Sequence, residues 1–165
     1  MNPDLDQRFI QTISTSFVEI VIDWLKITAI REGYGPTMNE GLCYEFCMGI
    51  PFSGDVSGEI FIGMDGYTRL LLLPYIINHL DLEVNHPQLV ESAMSSLVFK
   101  LAKEFSEELD AISHINLLES RSLNHQMVAL PKEEFRKYTM IYFIKDDDNK
   151  KYLGRIYIHL VLEKK

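Results

Sequence analysis

Gln88, Glu91, Ser92 and Ser95 put an amide, a carboxylate and two hydroxyls within eight consecutive positions, with Ser96 beside them. Such groups can hold a water or meet the polar atoms of a partner. They do not form a nucleophilic centre, because no histidine falls at helical spacing from these serines and none of them sits in a Gly-x-Ser-x-Gly elbow.

The segment that carries them, Gln88 to Asp110, has the periodicity of one amphipathic helix. At about 100° per residue, Val90, Met94, Leu97, Leu101 and Phe105 fall on one side, with Ala93 and Val98 at its margins. The opposite side collects Gln88, Ser92, Ser95, Ser96, Phe99, Lys103 and Ser106. Surface helices usually carry Lys and Glu outward, as this one does later at Lys103, Glu104, Glu107 and Glu108. The serine-rich first half is instead a low-charge patch around one large aromatic residue, a surface that another protein can approach closely. A single outward aromatic also has a plainer explanation, a helix margin or a self-contact.

Three stretches carry a resemblance: FIQTISTSFVEIVIDWLKI at the start, SGEIFIGMDGYTRLLLLPYIINHL in the middle, and the long helix with FKLAKEF. In order and spacing the chain resembles the CheX-like branch of the chemotaxis phosphatases, which also includes CheC and FliY. The resemblance implies an exposed Ser/Asp-x-x-x-Glu-x-x-Asn motif on the long helix, which enters the active site of a phosphorylated response regulator. Anchoring the motif on Glu91 puts Met94, a core-side residue, at the asparagine position. Anchoring it on Lys100-Leu101-Ala102 puts Gln88, Ser92 and Ser95 at the three positions, all outward. In this second register serine replaces both the glutamate and the asparagine, and no asparagine in the chain follows a glutamate by three residues. The first helix offers no second motif, since Glu19 is followed by Ile22.

Aspartyl-phosphate hydrolysis is largely a matter of holding water in line with phosphorus. Serine is shorter than asparagine and uncharged, unlike glutamate. The resemblance therefore implies a protein that docks on a response-regulator receiver domain in chemotaxis signalling without the usual phosphatase activity. Two alternatives stand beside it: an active phosphatase in which Glu91, Ser92 or Ser95 replaces the missing pair, and a structural, self-assembling subunit. The partner-binding residues are Gln88, Ser92, Ser95, Ser96, Phe99 and Lys103. No cofactor is expected in the chain itself, Mg2+ being carried by the receiver domain, and a homodimer formed through sheet edges is a further expectation from the resemblance.

The 165 residues, 47% hydrophobic, suffice for one domain with a sizeable core, and no linker divides positions 1–165. A net charge of −8 argues against nucleic acid and anionic membranes as partners. The polar start, Met1 to Gln7, is unlike a secretory signal, and the apolar run Leu70 to Ile77 is too short to span a bilayer, so a cytoplasmic location is expected. Cys43 and Cys47, placed in one strand, would stand roughly 13 Å apart and remain reduced.

The expected order of elements is a helix over Leu5 to Lys26, burying Ile10, Ile13, Phe17, Ile20 and Trp24, then a loop through Gly33, Gly35 and Pro36. Strands follow over Leu42 to Ile50 and Val56 to Met64, with a turn at Pro51, Ser53 and Gly54. Asp65 caps a helix over Gly66 to Leu80 that Pro74 kinks or restarts. After the long helix come strands over His114 to Ser120, Met127 to Leu130, Tyr138 to Ile144 and Leu153 to Leu162. Short turns imply antiparallel pairing, so the fold class is α+β, an antiparallel sheet packed by a long N-terminal helix and two further helices. His79 and His86 read as loop residues, His159 as an exposed or hydrogen-bonded strand residue, and Asp146 to Asn149 as a solvated hairpin turn; none has metal-ligand spacing.

Overall fold

The computed structural model describes residues 3–37, 40–78, 88–131 and 135–163. His79 and His86 lie outside them. In chain order the elements are α1 (Pro3–Asp23), β1 (Thr28–Pro36), β2 (Gly41–Leu42), β3 (Phe46–Gly54), β4 (Gly58–Met64), α2 (Gly66–Ile77), α3 (Leu89–Asp110), β5 (Ile115–Leu117), β6 (Arg121–Ser122), β7 (Val128–Ala129), β8 (Phe135–Asp146) and β9 (Lys151–Glu163). The main sheet runs β1-β8-β9-β4-β3-β5, with β6 also on β3, and every pairing is antiparallel. β2 and β7 form a separate two-stranded sheet. The α+β class read from the sequence is the class observed.

Alternation along the central strands divides the protein into layers. Ile60, Ile62, Ile156, Ile158, Leu160 and Leu162 point into the core shared with the helices, where Phe9, Ile13, Phe17, Leu97, Leu101 and Phe105 meet them. Phe61 and Val161 point the other way, into a smaller cluster with Leu42, Cys47, Leu123 and Leu130. The outer face of β3, β4 and β9 is thus covered by the β2-β7 ribbon and its connections.

The first helix opens with Asp4 and Asp6, whose charges suit a helix N-terminus. It stops at Asp23, three residues short of the expected Lys26, because Lys26 takes a left-handed conformation (φ 61°) that turns the chain into β1. Trp24, expected in the core, is half-buried past the helix end.

Two sequence expectations are corrected here. The loop expected at Gly33, Gly35 and Pro36 is strand: β1 pairs with β8 throughout, and a bulge between Arg31 and Gly33 absorbs the irregularity. Its place at the sheet edge is where glycine and proline are tolerated. Likewise Pro51, Ser53 and Gly54 are not a turn but the second half of β3, paired with Glu59, Gly58 and β5. The turn lies at residues 55–57, between β3 and β4. Cys43 therefore precedes β3 and is exposed, Cys47 is buried within it, and neither forms a disulfide.

Candidate partner-docking site

Helix α3 is placed by its apolar side. Ala93, Met94, Leu97, Val98, Leu101, Phe105 and Leu109 are buried, and α1, α2 and β5 pack around it. Gln88 occupies the N-cap without a side-chain capping bond, and its carbonyl accepts from the Ser92 N–H at 2.9 Å. Glu91 in the first turn is favourably placed against the helix dipole.

Along the outer side Gln88, Glu91, Ser95, Phe99 and Lys103 are exposed, while Ser92, Ser96 and Ser106 are half-buried. Phe99, at 73% exposure, is the most protruding apolar residue of the helix. Met94 is 2% exposed, so a motif register that needs it outward is sterically closed. The register of Gln88, Ser92 and Ser95 leaves its first and third residues open to a partner and its second partly covered.

Beside this face runs a groove of about 730 Å3 between α3 and the segment Leu117 to Ser120. Val98, Phe99 and Ala102 form one wall, Leu117 and Leu118 the other, and Met48 of β3 the floor. Sequence reasoning identified the helical wall and missed the opposite one. Leu117 and Leu118 read as strand residues, and nothing local in the sequence signals that Leu118 turns outward to 53% exposure.

The remaining candidates are committed elsewhere. His159, 2% exposed, accepts or donates at both ring nitrogens, to the Tyr44 hydroxyl at 2.7 Å and to Thr139 Oγ1 at 2.8 Å, on the sheet face away from α3. Burial holds its pKa down at about 4, so the ring is neutral. Burial pushes the Cys47 thiol up to about 11, with Glu59 adding to the shift, which keeps it protonated and unreactive. Asp146 accepts from the Asn149 backbone (3.2 Å) and side chain (2.7 Å) and from the Tyr75 hydroxyl (2.5 Å). These bonds lower its pKa, Asn149 first, and brace the β8-β9 turn, whose residues 147–150 are exposed, as the solvated hairpin turn expected. Asp65 caps α2 as predicted, accepting from the Thr68 N–H at 2.7 Å, and α2 continues through Pro74 to Ile77. Among the described residues no group of His, Cys, Asp and Glu is arranged to hold a metal ion, and no helix is long and apolar enough to cross a membrane.

No protein-family model and no curated protein matches the chain. Solved structures do. The chemotaxis protein CheX from Desulfovibrio desulfuricans superposes with a TM-score of 0.74 at 8% identity, over 97% of this chain and 99% of that one. A chain of the CheX-CheY-BeF3-Mg2+ complex from Borrelia burgdorferi gives 0.62 at 14% identity, over 99% and 100%. The FliM middle domain from Vibrio alginolyticus gives 0.57 at 12%, over 96% and 93%. At such identities the likeness is one of fold, and that fold is the CheX/CheC-like one expected from the sequence.

Proposed function

We propose that this chain, built on the CheX-like fold, is a chemotaxis signalling protein that docks on a response-regulator receiver domain through the outer face of α3, from Gln88 to Lys103. The observation that carries the reading is that face itself: an exposed, low-charge helix surface centred on Phe99, on a fold shared with a protein solved in complex with CheY. Mg2+ is brought by the receiver. The locally neutral surface lets a chain of net charge −8 approach its partner without strong repulsion. The exposed edge strand β1, with Ile30 and Tyr34 open to solvent, supports pairing of two copies, which sedimentation of the wild type and an Ile30→Pro variant tests.

In this reading the chain lacks the usual phosphatase activity, because serine stands at both catalytic positions. A second reading is favoured by one observation: Glu91 is exposed one helical turn before Ser95, where a carboxylate can reach the same partner. The deciding experiment measures dephosphorylation of receiver domains, phosphorylated with a small-molecule donor, with and without catalytic amounts of this protein and of Glu91→Ala. Saturable binding that weakens on Phe99→Ala, with no acceleration of phosphate loss, is the expected result. Acceleration lost in Glu91→Ala makes Glu91 the working carboxylate. If the protein neither binds nor accelerates, the docking proposal is wrong and a structural role takes its place.

A further inference from the structure

The groove beside α3 has a wall, Leu117 to Glu119, that lies outside the proposed receiver contact, and that wall is built to stay in place. The Leu118 N–H donates to the Pro51 carbonyl at 2.7 Å, and β6 immediately beyond pairs Arg121 with Gly49 and Ser122 with Met48. Arg121 then grips Glu59 with two bonds of 2.8 and 2.7 Å. Gly49 makes room for that carboxylate, since a Cβ there would stand 2.3 Å from Glu59 Oε2. An exposed leucine and an exposed phenylalanine are therefore held on two fixed supports lining one groove. Such preorganised apolar surface favours binding, because little side-chain or loop entropy is lost when it is covered.

The charges around the groove select the occupant. Glu107 and Glu119 line it, with Lys103 the only cationic side chain among the described residues that do. The last turn of α3 holds no basic residue, and Glu107, Glu108 and Asp110 crowd the negative end of the helix dipole. His114 lies 3.8 Å from Asp110 but is itself highly exposed, so it provides little neutralisation. An acidic segment would meet repulsion at that end of the groove; a segment that alternates apolar and cationic side chains would not.

We infer that the groove between α3 and Leu117 to Ser120 binds a basic amphipathic segment of a protein partner, with apolar side chains against Phe99 and Leu118 and cationic ones beside Glu107 and Glu119. The binding mode is that of an amphipathic helix laid in a groove. This site is independent of receiver docking in its far wall and overlaps it at Ser95, Phe99 and Lys103, so occupancy of one restricts the other.

The test is fluorescence anisotropy of a labelled helix-forming peptide of about 18 residues with leucines at i, i+3, i+4 and i+7 and lysines elsewhere. A glutamate version and a version with scrambled pattern are run beside it. The expected result is saturable binding of the patterned lysine peptide alone, weakened on the order of tenfold by Leu118→Ser and by the pair Glu107→Lys and Glu119→Lys. All three substituted side chains are at the surface, so thermal melts should match the wild type. Ser92→Arg, placed on the receiver half, leaves peptide binding unchanged while blocking receiver docking, which keeps the two proposals separable. Binding that ignores Leu118→Ser, or that is equal for the lysine and glutamate peptides, overturns the inference, as does no binding at all.

Discussion

The His159 ring lies with Nε2 2.7 Å from the Tyr44 hydroxyl and Nδ1 2.8 Å from Thr139 Oγ1, and Thr139 in turn shares a 2.7 Å bond with Thr37. This chain of hydrogen bonds ties the segment between β2 and β3 to the outer face of the sheet, where Tyr44 also stacks on Tyr157. The ring is neutral in the fold, with a pKa near 4, whereas an unfolded histidine titrates near 6.5. Above pH 6.5 both states are neutral and the difference contributes nothing. As the pH falls toward 4 the unfolded state takes up the proton first, so stability drops by on the order of 3 kcal/mol across that window and levels off below it. Urea unfolding from pH 8 to 4.5 should show this fall. His159→Gln should be less stable at pH 8 and show a shallower pH dependence; an unchanged slope in the variant would show that carboxylates alone cause it.

Asp6, at 2% exposure, faces Arg136 with Nε 2.8 Å from Oδ2, and the Tyr138 hydroxyl donates to the same oxygen. The cluster fixes the start of α1 to β8. Arg136→Met should cost about 3–5 kcal/mol, because the carboxylate is then left buried without its counter-charge. Adding Asp6→Leu to that variant should recover part of the loss, since an apolar pair of similar volume removes the desolvation penalty from both sides. Denaturant titration of the single and double variants checks both steps. A loss below about 1 kcal/mol in Arg136→Met would mean that solvent compensates Asp6 directly.

Gly154 in β9 has φ of 111°, and a Cβ added there would stand 2.1 Å from Thr68 Oγ1 in the first turn of α2. Backbone strain and the clash act together, because α2 packs directly on β9. Gly154→Ala should cost about 3 kcal/mol, lowering Tm by roughly 10 °C. Gly33→Ala is the control: nothing lies within 4 Å of its Cβ position, and its effect should stay within about 0.5 kcal/mol. Equal melting points for the two variants would contradict the tight α2-β9 packing.

The helices were legible in the sequence because their apolar spacing is regular, and the start of α2 is marked by its cap, Asp65. Strands were read at Tyr138 to Ile144 and Leu153 to Leu162, the latter by its alternation of Ile156, Ile158, Leu160 and Leu162, and both lie within the paired β8 and β9. What failed was the reading of Gly33, Pro36, Pro51 and Gly54 as breakers. Each lies in a strand where pairing is interrupted or one-sided: β1 is an edge, and the Pro51 carbonyl is satisfied by Leu118, a residue far away in sequence. For the site, the periodicity of α3 foretold the exposure of Phe99 and Ser95 but not the half-burial of Ser92. The second wall of the groove and the His159-Tyr44 bond were out of reach for one reason: both join residues distant in the chain, and local pattern carries no signal for such pairs.

The serines of α3 offer the sharpest functional prediction. Ser95 is exposed and Ser92 partly so, and residues three apart on a helix share a face. What separates them from the glutamate and asparagine that the resemblance puts at these positions is reach and functional group: a serine oxygen sits one bond beyond Cβ, while a glutamate oxygen sits three bonds beyond and carries charge. If the proposed register is right, Ser92→Glu together with Ser95→Asn should create phosphatase activity, accelerating phosphate loss from a bound receiver by on the order of tenfold or more over wild type. Ser95→Asn alone should give less, since it positions water without a carboxylate to engage the receiver. Stopped-flow or radiolabel decay with substoichiometric protein measures the turnover. A double variant that still binds the receiver but gains nothing would place the motif elsewhere on the helix, and Glu91, one residue before Ser92, would then be the position to vary next.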